Sequence, residues 1–273
     1  MRLGRIPYIN CYPIYGAIDR GIVRTTAGLV TGTPSELNDL LVAGELDVSV
    51  ISAVAYARHS KDLVLLPDLA ISCDGPVRSV LLFSRRPVAE LNGCTVLLSA
   101  SSRTSVALLE LLCRERWHIA PRFAEVRAEA SDLQHLAELP HDAVLVIGDP
   151  ALLLSAQGAY PYQVDLGMEW KEWTGLPFVF AVWAARRAAD PGPVAQGYQT
   201  LLASRTWGLA HLADLANAAA LTSGVERTTC SEYLAGLDYA LSPHHLNGLT
   251  EFFNRLQAVG LAPAGSLQFL QVA

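Results

Sequence analysis

The sequence carries no excess of positive charge to meet a nucleic acid. Its formal net charge is −6 over 273 residues, and its densest basic stretches are the dipeptides Arg85-Arg86 and Arg186-Arg187, too short to make a general basic field. Its most apolar stretch, Ala143 to Ala156, is broken by Asp149-Pro150 and falls short of the about 20 residues that cross a bilayer. The start, Met1-Arg2-Leu3-Gly4-Arg5 running into Ile6-Pro7-Tyr8, shows neither the unbroken apolar region nor the small-residue cleavage site of a secretion signal. A cytoplasmic protein without membrane or nucleic-acid partners is therefore expected. The five cysteines, Cys11, Cys73, Cys94, Cys113 and Cys230, are scattered, with no Cys-x-x-Cys pair and no histidine at ligand spacing, which excludes a disulfide framework and a structural zinc. They are expected to act as small buried hydrophobes. A Gly-x-Gly-x-x-Gly turn, a Walker lysine loop and a Gly-x-Ser-x-Gly elbow are all lacking, so the most direct dinucleotide, nucleotide and hydrolase chemistries fall away.

What is present is apolar and alternating. Hydrophobic residues make up 51% of the chain, enough for a large core in one domain or two lobes. Arg2–Ile9 reads as a first strand, and the prolines 7 and 13 around Asn10-Cys11 read as a turn rather than a helix. Thr33-Pro34-Ser35-Glu36 has the form of a capping box opening a helix that ends near Gly44. Strands follow at 47–51, 63–66, 79–83, 94–98, 143–147 and 178–184, with helices between them, notably 101–117. This alternation predicts an α/β protein with mainly parallel sheets. From Pro191 to about Ala258 the pattern is almost wholly helical. No linker of distinct composition is visible, so two lobes would be joined by strands, with the best crossing points near Phe83–Arg86 and Phe180–Ala184.

Four places combine polar groups with a strand end. Ser101-Ser102-Arg103-Thr104-Ser105 opens a helix after a strand, gathering free N–H groups, hydroxyls and a guanidinium where a carboxylate would fit; simple capping by Ser101 or Ser102 explains the same residues. Gly148-Asp149-Pro150 lies at the carboxyl edge of a parallel sheet, where ligands bind, although Asp149 also suits an N-cap. In the turn Asp74–Ser79, alternation sends the side chains of Arg78 and Ser79 to opposite faces, so one is expected in a cleft and the other in a structural role. Asn10, at the strand-to-turn junction, serves either a ligand or the turn itself. The seven histidines lack partners in the sequence, and Trp170 and Trp173 read as core.

Taken in order, Arg5-Ile6-Pro7-Tyr8-Ile9-Asn10, Asp47–Tyr56, Gly75-Pro76-Val77-Arg78-Ser79, Ser101–Ser105, Ile147-Gly148-Asp149 and Trp173-Thr174-Gly175-Leu176-Pro177-Phe178 resemble the chorismate dehydratase family of the futalosine route to menaquinone. The resemblance spans roughly residues 2–184 and, weakly, the helical tail. It implies a type II periplasmic-binding-protein-like fold with a ligand cleft between lobe 1 (1–85 plus 184–273) and lobe 2 (86–183). It also implies a cytoplasmic lyase that uses no metal or cofactor and dehydrates chorismate. Matched motif to motif, Asn10 and Ser79 stand at the family's active-site positions. Arg78, Ser101, Ser102, Thr104, Ser105, Gly148 and Asp149 are then expected to bind the substrate. The sister 1,4-dihydroxy-6-naphthoate synthase resembles the chain in outline but is expected to carry a histidine where this chain has Gly148. A non-enzymatic carboxylate-sensing module would share the cleft without turnover.

Overall fold

The computed structural model describes residues 1–263 and 265–271. Its first stretch comprises β1 (Arg2–Arg5), α1 (Tyr12–Asp19), β2 (Gly28–Thr31), α2 (Pro34–Val42), β3 (Val48–Ser52), α3 (Ala53–His59) and β4 (Leu63–Cys73). The middle stretch comprises β5 (Val80–Ser84), β6 (Thr95–Ser99), α4 (Thr104–Leu111), β7 (Arg122–Val126), α5 (Leu133–Glu138), β8 (Ala143–Ile147), α6 (Asp149–Gln157), β9 (Tyr162–Asp165) and α7 (Leu166–Thr174). The chain then returns through β10 (Phe178–Arg186) and ends in α8 (Pro191–Ala210), α9 (Leu212–Ser223), α10 (Arg227–Gly236) and α11 (Pro243–Ala258).

The strands form two five-stranded sheets, ordered β2-β1-β3-β10-β4 and β7-β6-β8-β5-β9. In the first, β1, β2 and β3 are parallel and β10 runs against both of its neighbours. In the second, β6, β7 and β8 are parallel and β5 is the reversed strand. Each sheet is thus mainly parallel, with its one reversed strand in fourth place. The reversed strands are the two that arrive from the other sheet. A chain entering from the facing lobe starts at the shared edge, where its parallel neighbours end, and so must run opposite to them. The starts of β5 and β10 and the ends of β1, β3, β6 and β8 consequently border one gap, the position where ligands bind in open α/β sheets.

Two expectations need correction. The crossing points do not lie near Phe83–Arg86 and Phe180–Ala184, because Val80–Ser84 pairs along its length with β8 and Phe178–Arg186 pairs with β3 and β4. All five residues of β5 are buried, and a strand held on both faces belongs to a core rather than a link. The passages are instead residues 74–79 and 166–177, so the lobes divide near 79 and 166. The segment after Pro7 is also helical, with a 3-10 turn at Ile9–Cys11 leading into α1. Pro13 is the second residue of α1, where a missing N–H costs nothing.

Other local signals hold. The Thr33–Glu36 capping box is formed in both directions, Glu36 N–H donating to Thr33 Oγ1 at 3.4 Å and Thr33 N–H to Glu36 Oε2 at 2.8 Å. The helix expected from 101 begins at Thr104 and passes into a π-helical turn at Leu112–Arg116. Cys11, Cys73, Cys113 and Cys230 are buried and Cys94 is partly so, all as free thiols. Trp170 is fully buried and meets Phe178 and Phe252 edge-on, at 5.2 and 5.8 Å between ring centroids. It therefore closes the core beneath the return passage.

Candidate active site

A cavity of about 610 Å³, its open mouth included, lies in the gap between the sheets. Tyr8 and Asn10 reach it from the segment after β1, Ser52 from the end of β3, Phe180 from β10 and Tyr233 from α10. The facing wall holds Ser79 at the start of β5, Ser102, Thr104 and Ser105 at the start of α4, and Ile147 and Gly148 at the end of β8. Among the described residues no group of three or more His, Cys, Asp or Glu side chains is placed to hold a metal ion, and no helix is long and apolar enough to cross a membrane.

Asn10 and Ser79, from opposite lobes, are brought to one buried phenol. Ser79 is 2% exposed, and its Oγ lies 2.7 Å from the hydroxyl of Tyr233. The side-chain amide of Asn10 adjoins the same hydroxyl, and burial drives this phenol's pKa well above the ordinary tyrosine range. Asn10 Oδ1 is buried without a hydrogen-bond partner among the described residues. A buried carbonyl oxygen left open in a cavity wall is an acceptor held ready for a ligand.

The serine-rich helix start divides in two. Ser102 Oγ accepts from the Ser105 N–H at 3.2 Å, and so caps the helix while facing the cavity. Thr104 Oγ1 accepts from the Val54 N–H of the other lobe at 3.2 Å. Ser101 turns away from the cavity and donates to Glu129 at 2.5 Å. Arg103 lines the cavity, yet its guanidinium pairs across the lobes with Asp39 at 2.5 Å. A carboxylate here would rely on orphan N–H groups of the first turn and on hydroxyls.

Gly148 has φ +67, and a Cβ there would lie 2.9 Å from the Tyr8 ring. Glycine is therefore required twice over, by the left-handed backbone and by the aromatic wall against it. Asp149 is the first residue of α6 rather than its N-cap. Its carboxylate accepts from the Ile9 N–H at 3.0 and 3.3 Å and is not part of the cavity wall. Burial, with the Glu129 charge adding to it and the Ile9 N–H opposing it, pushes the Asp149 carboxyl up to about 7. Tyr8 donates from its hydroxyl to Glu129 at 2.9 and 3.1 Å. With Ser35 donating to the Ala100 carbonyl at 3.1 Å, these bonds hold the two lobes shut on one another.

Arg78, like Ser101 and Asp149, is an expected contact that the structure keeps out of the cavity wall. Its guanidinium pairs with Glu232 at 2.6 Å on the exposed side, while its backbone N–H donates to Asp165. Alternation had allowed one of Arg78 and Ser79 inside, and Ser79 is that one. Three further residues went unnoticed in the sequence: Tyr8, Glu129 and Tyr233. Tyr8 lies within Arg5-Ile6-Pro7-Tyr8-Ile9-Asn10, whereas Tyr233 and Glu129 carry no local signal.

Comparison with known proteins gives a consistent picture. A family model described as menaquinone biosynthesis matches residues 1–258. The chain is 37% identical over 274 residues to a chorismate dehydratase of Thermus thermophilus, covering 95% of each. It is 30% identical over 186 residues to one of Campylobacter jejuni, covering 66% of each. A 1,4-dihydroxy-6-naphthoate synthase of Thermus thermophilus is 27% identical over 213 residues, covering 77% of this chain and 75% of that one. Among solved structures, protein AF1704 of Archaeoglobus fulgidus superposes with a TM-score of 0.75 at 19% identity, covering 95% and 97% of the two chains. The alkanesulfonate-binding protein SsuA of Xanthomonas axonopodis, bound to MOPS, gives 0.70 at 16% identity, covering 98% and 95%. At such identities the likeness concerns the fold, which is the two-lobed binding-protein arrangement expected.

Proposed function

The chain belongs to the menaquinone-biosynthesis family, and on that premise we propose that it is a chorismate dehydratase, a cytoplasmic lyase that removes water from chorismate to give 3-[(1-carboxyvinyl)oxy]benzoate. The observation that carries this reading is the likeness, over 95% of both chains, to the Thermus dehydratase. Gly148 supports it against the naphthoate synthase: a histidine expected there in the sister enzyme would need a left-handed backbone and the space filled by the Tyr8 ring.

Chorismate carries two carboxylates, a C4 hydroxyl and a C3 proton, and its dehydration makes the ring aromatic. With aromatisation driving the elimination, the protein has mainly to orient the substrate and stabilise charge on the leaving oxygen. Ser102, Thr104 and Ser105, with the first-turn N–H groups of α4, are suited to one carboxylate. Ser79 is placed to donate to the departing hydroxyl, and Asn10 Oδ1 to accept from the substrate. Asp149 has a carboxyl near neutrality, which suits a base, but its carboxylate is turned to Ile9. That arrangement favours a carboxylate of the substrate itself as the group that takes the C3 proton.

The test is to incubate metal-stripped protein with chorismate and follow the product by chromatography and mass. Loss of one water to give the enolpyruvyl benzoate is the expected result. Chorismate bound but unchanged would replace this reading with that of a sensing module.

A further inference from the structure

Two consecutive residues of the first passage are tied to two consecutive residues of α10. Outside, Arg78 pairs with Glu232 at 2.6 Å; inside, Ser79 Oγ meets the Tyr233 hydroxyl at 2.7 Å. Tyr233 is 1% exposed and forms part of the cavity wall. Its proton must have a defined destination, because a buried hydroxyl that donates to nothing is costly. Asn10 adjoins the phenol, yet Asn10 Oδ1 accepts from nothing among the described residues. Among the described residues Ser79 Oγ is the only hydrogen-bond partner of the Tyr233 hydroxyl. The phenol's proton therefore goes to Ser79 Oγ, and Ser79, with a lone pair engaged, turns its hydroxyl proton toward the cavity.

We propose that Tyr233 is a positioning residue for the dehydration, fixing the direction in which Ser79 donates. This rests on the dehydratase reading of the site. In that elimination the C4–O bond breaks with its electron pair leaving on oxygen, the C3–H pair becomes ring double bond, and the released proton and hydroxide leave as water. A serine hydroxyl that already accepts a hydrogen bond is a stronger donor to the departing oxygen than one free to rotate. The Arg78–Glu232 pair keeps the turn in register, with Arg78 itself at φ +65. The expected substrate contact at Arg78 thus becomes the outer rung of a two-rung tie whose inner rung is Ser79–Tyr233.

The experiment is a kinetic cycle on chorismate with wild type, Tyr233→Phe, Ser79→Ala and the double variant, each checked for an unchanged melting temperature. Tyr233→Phe is expected to lower kcat by about 10- to 100-fold with KM nearly unchanged. The double variant is expected to be no slower than Ser79→Ala alone, since a residue acting through Ser79 has nothing to orient once that hydroxyl is gone. Multiplicative losses, or wild-type kcat in Tyr233→Phe, would overturn the proposal while leaving the dehydratase reading intact. A wild type that leaves chorismate unchanged would overturn both. Should the Phe variant lose its fold, 3-fluorotyrosine at 233 preserves the shape and strengthens the donor; kcat is then expected to shift by at least about twofold at constant KM, and an unchanged kcat would refute the role.

Discussion

The carboxylate of Asp149, at the start of a helix in the second lobe, accepts the backbone N–H of Ile9 from the first lobe at 3.0 Å. One hydrogen bond thus links the end of β8 to the segment after β1, directly behind the Tyr8 ring. The bond places an acid among buried groups, and burial is the main reason its pKa rises to about 7 from an ordinary 3.8.

A stability effect of definite sign follows. A folded-state pKa above the unfolded one means that the folded protein holds the proton more tightly, so the contribution is complete below about pH 3.8 and is lost as pH rises through about 7. Asp149→Asn keeps an oxygen for the Ile9 N–H and removes the charge. At pH 8 the variant is expected to be more stable than wild type by about 1–3 kcal/mol, with the difference vanishing near pH 4. Urea denaturation at the two pH values measures it, and equal stabilities at pH 8 would refute it. Near-normal turnover of chorismate is expected at the same time, because Asp149 is not assigned the C3 proton.

Gly148→Ala is expected to destabilise the protein by about 2–4 kcal/mol, combining a left-handed residue with a Cβ pressed on the Tyr8 ring. Combining it with Tyr8→Ala relieves the contact but not the backbone strain, so the penalty should fall to about 1 kcal/mol. Thermal melts of the four proteins in this cycle provide the comparison; a penalty independent of Tyr8 would show that the ring is not the obstacle.

Asn10→Ala removes the open acceptor in the cavity wall. A fall in kcat of about 10²-fold is expected, with the melting temperature little changed because Asn10 Oδ1 has no partner to lose among the described residues. Steady-state assays beside a melt decide it: a large drop in stability with normal kcat would make Asn10 a folding residue.

Glu129→Gln withdraws a negative charge that raises the pKa values of both Tyr8 and Asp149. The Asp149 titration, followed by carboxyl carbon NMR, should move to lower pH. Its failure to move would mean that Glu129 is too distant or too solvated to act on it.

Local chemistry was legible wherever a few adjacent residues determine the outcome. The Thr33–Glu36 box and the buried strand Ala143–Ile147 follow from spacing alone, and Asn10, Ser79, Ser102, Thr104, Ser105 and Gly148 do meet at one cavity. Arg78 and Ser79 do part to opposite sides, but from a turn with Arg78 at φ +65 rather than by strand alternation. What stayed hidden depends on tertiary placement. Nothing around Tyr233 in α10 marks its hydroxyl as the neighbour of Ser79, 154 positions earlier. Glu129 becomes a partner of Tyr8 only once the lobes are closed, 121 positions apart in sequence. The crossing points were misplaced because the apolar runs 80–84 and 178–186 are central strands, and a fully buried strand reads the same whether it joins lobes or fills one.

Because β10 sits between β3 and β4, the first sheet has a gap between its third and fifth strands until residues 178–186 have been synthesised. The strands of the second sheet, by contrast, all fall within residues 80–165. On a ribosome delivering the chain from its amino end, the inner lobe has every strand it needs while the outer one is still split into two unjoined pieces, β1–β3 and β4. The order of assembly is therefore written into the topology: the middle of the chain matures first, and its start must wait for its end.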